Sequence, residues 1–126
     1  MLKVLIADDH QVVRTALRSL IENACGAMCI EAVNGVDAIV KAAEFEPDVI
    51  VLDLSMPEMD GLEAAQLLKT TIPGVPMFLL TSYHEPEVEA AAYNAGITRV
   101  FSKGESLKTF VSLINEILVA GQQSSS

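Results

Sequence analysis

Val49-Ile50-Val51-Leu52 is apolar at four successive positions and runs straight into Asp53. A segment apolar at every position suits a strand covered on both faces, as in a parallel sheet. Four similar runs flank it, spaced roughly twenty to thirty residues apart: Val4-Leu5-Ile6-Ala7, Met28-Cys29-Ile30, Met77-Phe78-Leu79-Leu80 and Val100-Phe101. Between and after them the apolar period becomes helical. Val13, Leu17, Leu20 and Ile21 mark a first helix, and Val36, Ile39, Val40 and Ala43 a second. Leu62, Ala65 and Leu68 mark a third, and Val88, Ala91, Ala92 and Ala95 a fourth with an alanine-rich face. Leu107, Phe110, Val111, Ile114 and Leu118 form the fifth and clearest stripe. The punctuation agrees. Gly35, Asp60-Gly61 and Glu85-Pro86 stand at helix starts, Ser106 is a candidate N-cap, and Gly96 and Gly121 stand at helix ends.

Five strands alternating with five helices give a single (βα)5 α/β domain. Right-handed crossovers lay helices on both faces of a parallel sheet. The flavodoxin-like strand order 2-1-3-4-5 is the natural arrangement. The second and fifth runs are the shortest, with Glu31 and Arg99 nearby, and suit edge strands. The domain is expected over residues 1–120, with 121–126 a flexible tail or the start of a linker.

The 126 residues suffice for one core, which must be aliphatic, because 51% of the chain is hydrophobic but only 5% aromatic. Eight basic against seventeen acidic residues leave a formal net charge of −9. Such a domain is a poor non-specific ligand for nucleic acid or an anionic membrane, so DNA binding would need another segment. Cys25 and Cys29 have no second cysteine pair or histidine pair to complete a zinc site, and read as small apolar residues. The first apolar run meets Asp8 too soon for a signal peptide, and no run reaches the length of a membrane span. A soluble cytoplasmic protein is expected.

The polar residues fall at the carboxyl ends of the strands: Asp8 and Asp9 after the first, Asp53 at the third, Thr81 and Ser82 at the fourth, Lys103 after the fifth. In the proposed order these ends border one crevice, where open α/β sheets bind ligands. Three clustered carboxylates repel one another and require a cation. An all-oxygen set with room for water fits Mg2+, or Mn2+ in its place. A carboxylate beside a divalent ion, a lysine and a hydroxyl is a site for a phosphoryl group. Asp53 is the central nucleophile there, Lys103 and the metal balance charge, and Thr81 donates a hydrogen bond. Taken singly, each residue has a plainer role: a helix cap for Asp8 or Asp9, turn chemistry for Asp53, a solvated charge for Lys103. Their combination at four strand ends favours the site.

Leu5-Ile6-Ala7-Asp8-Asp9-His10, the D-x-x-M-P-x-M-D-G block from Asp53 to Gly61, Leu80-Thr81-Ser82 and Phe101-Ser102-Lys103-Gly104 resemble the receiver domain of two-component response regulators. The resemblance spans residues 2 to about 120. It implies that a sensor histidine kinase or phosphotransfer protein phosphorylates Asp53. It also implies that Asp9 ligates Mg2+ directly, that Asp8 assists through water, and that the Ser55 backbone carbonyl is a further ligand. Thr81 and Lys103 would contact the phosphoryl group. Two departures stand out. Gly104 replaces the usual proline after the lysine, so a trans Lys103–Gly104 bond is expected, as in the NarL/FixJ-type group. Val100 stands where the family usually carries a switching tyrosine or phenylalanine. Tyr83, two residues past Thr81, is expected to shield the acyl phosphate from water. Family logic further implies a homodimer on phosphorylation and a transcription-regulating domain beyond residue 126. The alternatives are a stand-alone receiver, a pseudo-receiver that is never phosphorylated, and a small aspartyl phosphatase. The last lacks a cap domain and has Ser55 where its general acid should stand.

Overall fold

The computed structural model describes residues 2–82, 84–103 and 107–124. Tyr83, Gly104 and Ser106 lie outside them, and with them the expected shielding, trans bond and helix cap. Strands β1 (Lys3–Ala7), β2 (Met28–Ala32), β3 (Val49–Asp53), β4 (Met77–Thr81) and β5 (Arg99–Ser102) alternate with helices α1 (Gln11–Cys25), α2 (Gly35–Phe45), α3 (Gly61–Thr71), α4 (Pro86–Asn94) and α5 (Leu107–Ser124). The sheet is parallel in the order β2-β1-β3-β4-β5, the flavodoxin-like arrangement expected above.

Strand alternation sorts the core into two layers. Leu5, Ala7, Ile50, Leu52, Met77, Leu79 and Val100 pack with α2, α3 and α4. Val4, Ile6, Val49, Val51, Phe78, Leu80 and Phe101 pack with α1 and α5. The first layer meets helices through alanines 38, 42, 64, 65 and 92, which lets those helices approach closely. The second is bulkier, and holds Phe78, Phe101 and Phe110 edge to face with centroids 4.8–6.0 Å apart.

Local chemistry sets the helix ends. Asn34 caps α2 by accepting from Asp37 N–H, and Asp60 caps α3 by accepting from Glu63 N–H. Pro86 opens α4, where its missing donor is no loss. His10, rather than Asp8 or Asp9, occupies the N-cap position of α1, and makes no side-chain cap bond. The expected end of α5 at Gly121 is corrected: the helix continues to Ser124. One interior glycine weakens a helix by only about 1 kcal/mol, and Gln122 and Gln123 are good helix formers. Cys25 and Cys29 are free thiols, and Cys29 is buried in the α1/α5 layer, in keeping with an apolar role.

Candidate functional site

The carboxyl ends of β1, β3 and β4 each deliver one buried polar side chain: Asp8, Asp53 and Thr81, all 4% exposed or less. The backbone is tied down immediately after Asp53, at Leu54. Leu54 N–H donates to the Leu80 carbonyl, and Gly61 N–H donates back to the Leu54 carbonyl. A Cβ at Gly61 would collide with the Asp53 carbonyl, so only glycine lets α3 start this close to the strand end. Lys103 is brought in by its backbone N–H, which donates to the Thr81 carbonyl at 2.9 Å.

The Lys103 ammonium bridges two acids, 2.9 Å from Asp53 Oδ1 and 3.2 Å from Asp8 Oδ2. Burial raises the Asp53 carboxyl above its usual range. The Lys103 hydrogen bond opposes this, while the Asp8 and Asp9 charges add to it. Burial pulls Lys103 down, but the hydrogen bond and charge of Asp53, with Asp8 behind it, outweigh that and leave it raised. The pocket therefore holds a fixed cation and a carboxylate whose negative charge is poorly solvated.

The sequence-derived residues converge. Asp53, Ser55, Thr81, Ser82 and Lys103 line one cavity of about 220 Å³, together with His10. Asp9 joins through a cluster in which one donor atom each from Asp8, Asp9, His10 and Asp53 lie within 4.8 Å of one another. Ligands on opposite sides of an octahedral ion stand ~4.2 Å apart, so this donor set suits a small divalent cation after a slight contraction. A larger open depression of about 570 Å³ lies at the other end of β4, but among the described residues Lys69 is its only titratable lining group.

Two participants escaped the sequence reading. His10 directly follows the acid pair but carries no signal of its own that assigns it a role in the pocket. Its Nδ1 lies 3.1 Å from Asp8 Oδ1 and 3.2 Å from Asp9 Oδ1. Arg14, one turn into α1, donates from Nη1 to the Asp8 backbone carbonyl at 2.7 Å and from Nε to Glu31 at 2.9 Å. No local signal marks that contact, which crosses from helix to strand end.

The chain is 34% identical over 116 residues to the response regulator protein VraR of Staphylococcus aureus, an alignment covering 91% of this chain and 56% of that protein. It thus spans about half the length of the curated relatives it matches. Its fold superposes with a TM-score of 0.85 on chemotaxis protein CheY4 of Vibrio cholerae, at 27% identity over 93% of this chain and 98% of that one. A two-component response regulator of the LuxR family from Aurantimonas sp. SI85-9A1 gives 0.86 at 27% identity, covering 94% and 85%. Among the described residues no helix is long and apolar enough to cross a membrane. The family model of the response regulator receiver domain matches residues 4–115, and the chain belongs to that family.

Proposed function

We propose that this chain is a phosphorylation-controlled switch whose phosphoacceptor is Asp53. An Asp53 carboxylate oxygen attacks the phosphorus of a phosphohistidine on a sensor histidine kinase or phosphotransfer protein. The new O–P bond forms an acyl phosphate, and the P–N bond breaks with its electron pair returning to the donor imidazole. The Lys103 bridge between Asp53 and Asp8 carries this reading. It presents a fixed cation beside the nucleophile, where phosphoryl oxygens gather charge. Thr81 donates to one of those oxygens from the end of β4.

The donor chemistry fits a hard divalent ion: Asp9, Asp53 and the Ser55 carbonyl would hold Mg2+, or Mn2+ in its place, with Asp8 acting through water. When bound, the ion offsets the negative charge that an incoming phosphoryl group would otherwise meet. Phosphorylation then shifts an existing equilibrium between surface states of the domain. In the full-length protein the output is transcription regulation by a C-terminal DNA-binding domain, assisted by a homodimer of receivers, in the cytoplasm. The support is the similarity to VraR and to a LuxR-family regulator.

Incubation with acetyl phosphate and Mg2+, followed by intact-mass analysis, tests the core of the proposal. The expected result is one labile phosphoryl adduct, lost in Asp53→Asn and in excess EDTA. An adduct of wild-type extent in Asp53→Asn removes the assignment.

A further inference from the structure

We infer that Arg14 is a positioning residue of the acidic pocket: it holds the Asp8–Asp9 peptide in place, and so aims both acids before an ion or a phosphoryl group arrives. This role rests on the reading of the pocket as the Mg2+-dependent phosphorylation site. Arg14 stands one turn into α1, where its own N–H donates to the His10 carbonyl at 3.1 Å. From there its Nη1 donates to the Asp8 backbone carbonyl at 2.7 Å, and its Nε to Glu31 Oε1 at 2.9 Å. The side chain is only 12% exposed, so little water competes for either bond.

Past the end of β1 the chain leaves the sheet, and Asp8 is tied there by backbone and side chain together. Its N–H donates to the Ala32 carbonyl, its Oδ2 accepts from Lys103, and its carbonyl accepts from Arg14. The Asp8 carbonyl and the Asp9 N–H belong to one planar peptide. Fixing that carbonyl therefore fixes the direction in which the chain departs for Asp9, which is itself exposed. Charge supports the same role. Asp8, Asp9 and Asp53 gather three like charges, whose repulsion tends to splay the loop apart. Lys103 offsets them, but it engages one oxygen each of Asp8 and Asp53. Arg14 sets a permanent cation behind the pair and takes no oxygen of the three carboxylates. A guanidinium also spreads its donors over a rigid plane, so it serves the carbonyl and Glu31 from two nitrogens at once, whereas an ammonium is a point charge on a flexible stem.

The test uses the whole chain. In the metal-free protein, amide NMR reads the Asp9 nitrogen, whose shift responds to a hydrogen bond on the Asp8 carbonyl of the same peptide. Mg2+ affinity is measured by calorimetry. Arg14→Met keeps the stem and removes the guanidinium. It is expected to move the Asp9 resonance and to weaken Mg2+ binding about tenfold or more. Arg14→Lys keeps stem and charge but not the planar fork, and should change both quantities in the same direction, so that a failure of Arg14→Met to fold leaves the role testable. Leu20→Ala loosens the packing of α1 on the α1/α5 layer without touching Asp8, and should leave the Asp9 resonance and the Mg2+ affinity as they are. An unmoved Asp9 resonance or a native Mg2+ affinity in both Arg14 variants, or an equal loss in Leu20→Ala, would overturn the inference. If the native chain binds Mg2+ and is phosphorylated on Asp53 in those cases, only the role of Arg14 fails. If the native chain binds no Mg2+, the reading of the pocket fails with it.

Discussion

Gly35 and Met59 join α2 to the loop that follows Asp53: the Gly35 N–H donates to the Met59 carbonyl at 3.1 Å, and a Cβ on Gly35 would collide with that oxygen. The loop carries Ser55 and is conformationally demanding, since Glu58 sits at φ 67° in the left-handed region. Gly35 is buried and opens α2, so the colliding backbone has little room to retreat. Gly35→Ala is expected to destabilise the domain by about 1–3 kcal/mol, the usual range for overpacking. It should also weaken divalent-ion binding by displacing the Ser55 carbonyl. Chemical denaturation and calorimetry check both effects, and an unchanged unfolding midpoint would show that the contact is slack.

Glu31 accepts from Arg14 Nε at 2.9 Å and from Arg18 Nη1 at 2.8 Å. The Arg18 hydrogen bond is the main cause holding its carboxyl below the usual range; burial opposes this and Arg14 adds to the lowering. A depressed folded-state pKa contributes stability that is present above the unfolded value and lost as pH falls through the folded one. Glu31→Gln should therefore lose on the order of 1 kcal/mol at pH 7, and the gap should close below about pH 4. Urea melts at the two pH values check this. A deficit of equal size at both would assign the loss to packing instead of charge.

The sheet was legible because its strands are buried on both faces: Val49 to Asp53 and Met77 to Thr81 are buried throughout. Periodicity needs no tertiary knowledge to find such runs. It stopped short in β2, which continues through Glu31 to Ala32, because Glu31 looks polar until its arginine partners on α1 are known. The acids, Thr81 and Lys103 were legible because strand ends in this topology share one crevice. His10 was not, because a largely exposed histidine at a helix start reads as surface. Its hydrogen bond to Asp8, two residues away, is what brings the ring to the pocket.

The two thiols should differ in reactivity, because Cys29 is buried and Cys25 only partly so. Burial is the leading cause pushing the Cys29 thiol up to about 11, and it raises the more accessible Cys25 as well. The thiolate is the reactive form, so at pH 8 a disulfide reagent should modify Cys25 first and reach Cys29 only as the domain opens. Cys29→Ser should be clearly destabilising, because it places a hydroxyl in the α1/α5 layer. Mass-spectrometric mapping of labelling against time checks the order. Rapid labelling of Cys29 in the folded protein would contradict it.

Signal transmission should bypass β5. Val100 packs in the α2/α3/α4 layer and Phe101 in the opposite one, so Phe101 cannot replace the missing aromatic by changing rotamer. It is also held in place, edge to face against Phe78 and Phe110 and beneath the Arg99 guanidinium at 5.4 Å. Valine is short and stiff at χ1 and has no hydroxyl to exchange between partners. The remaining route is movement of the end of β4 toward a phosphoryl group on Asp53, which would draw on the start of α4. That helix buries only Ala92, so small contacts oppose its shift. Beryllofluoride with Mg2+ is therefore expected to change the amide shifts of residues 81–82 and 84–92 more than those of 98–101. Two-dimensional NMR with and without the reagent measures this. If the largest changes centred on Val100 and Phe101 while α4 stayed quiet, strand five would be the transmitting element after all.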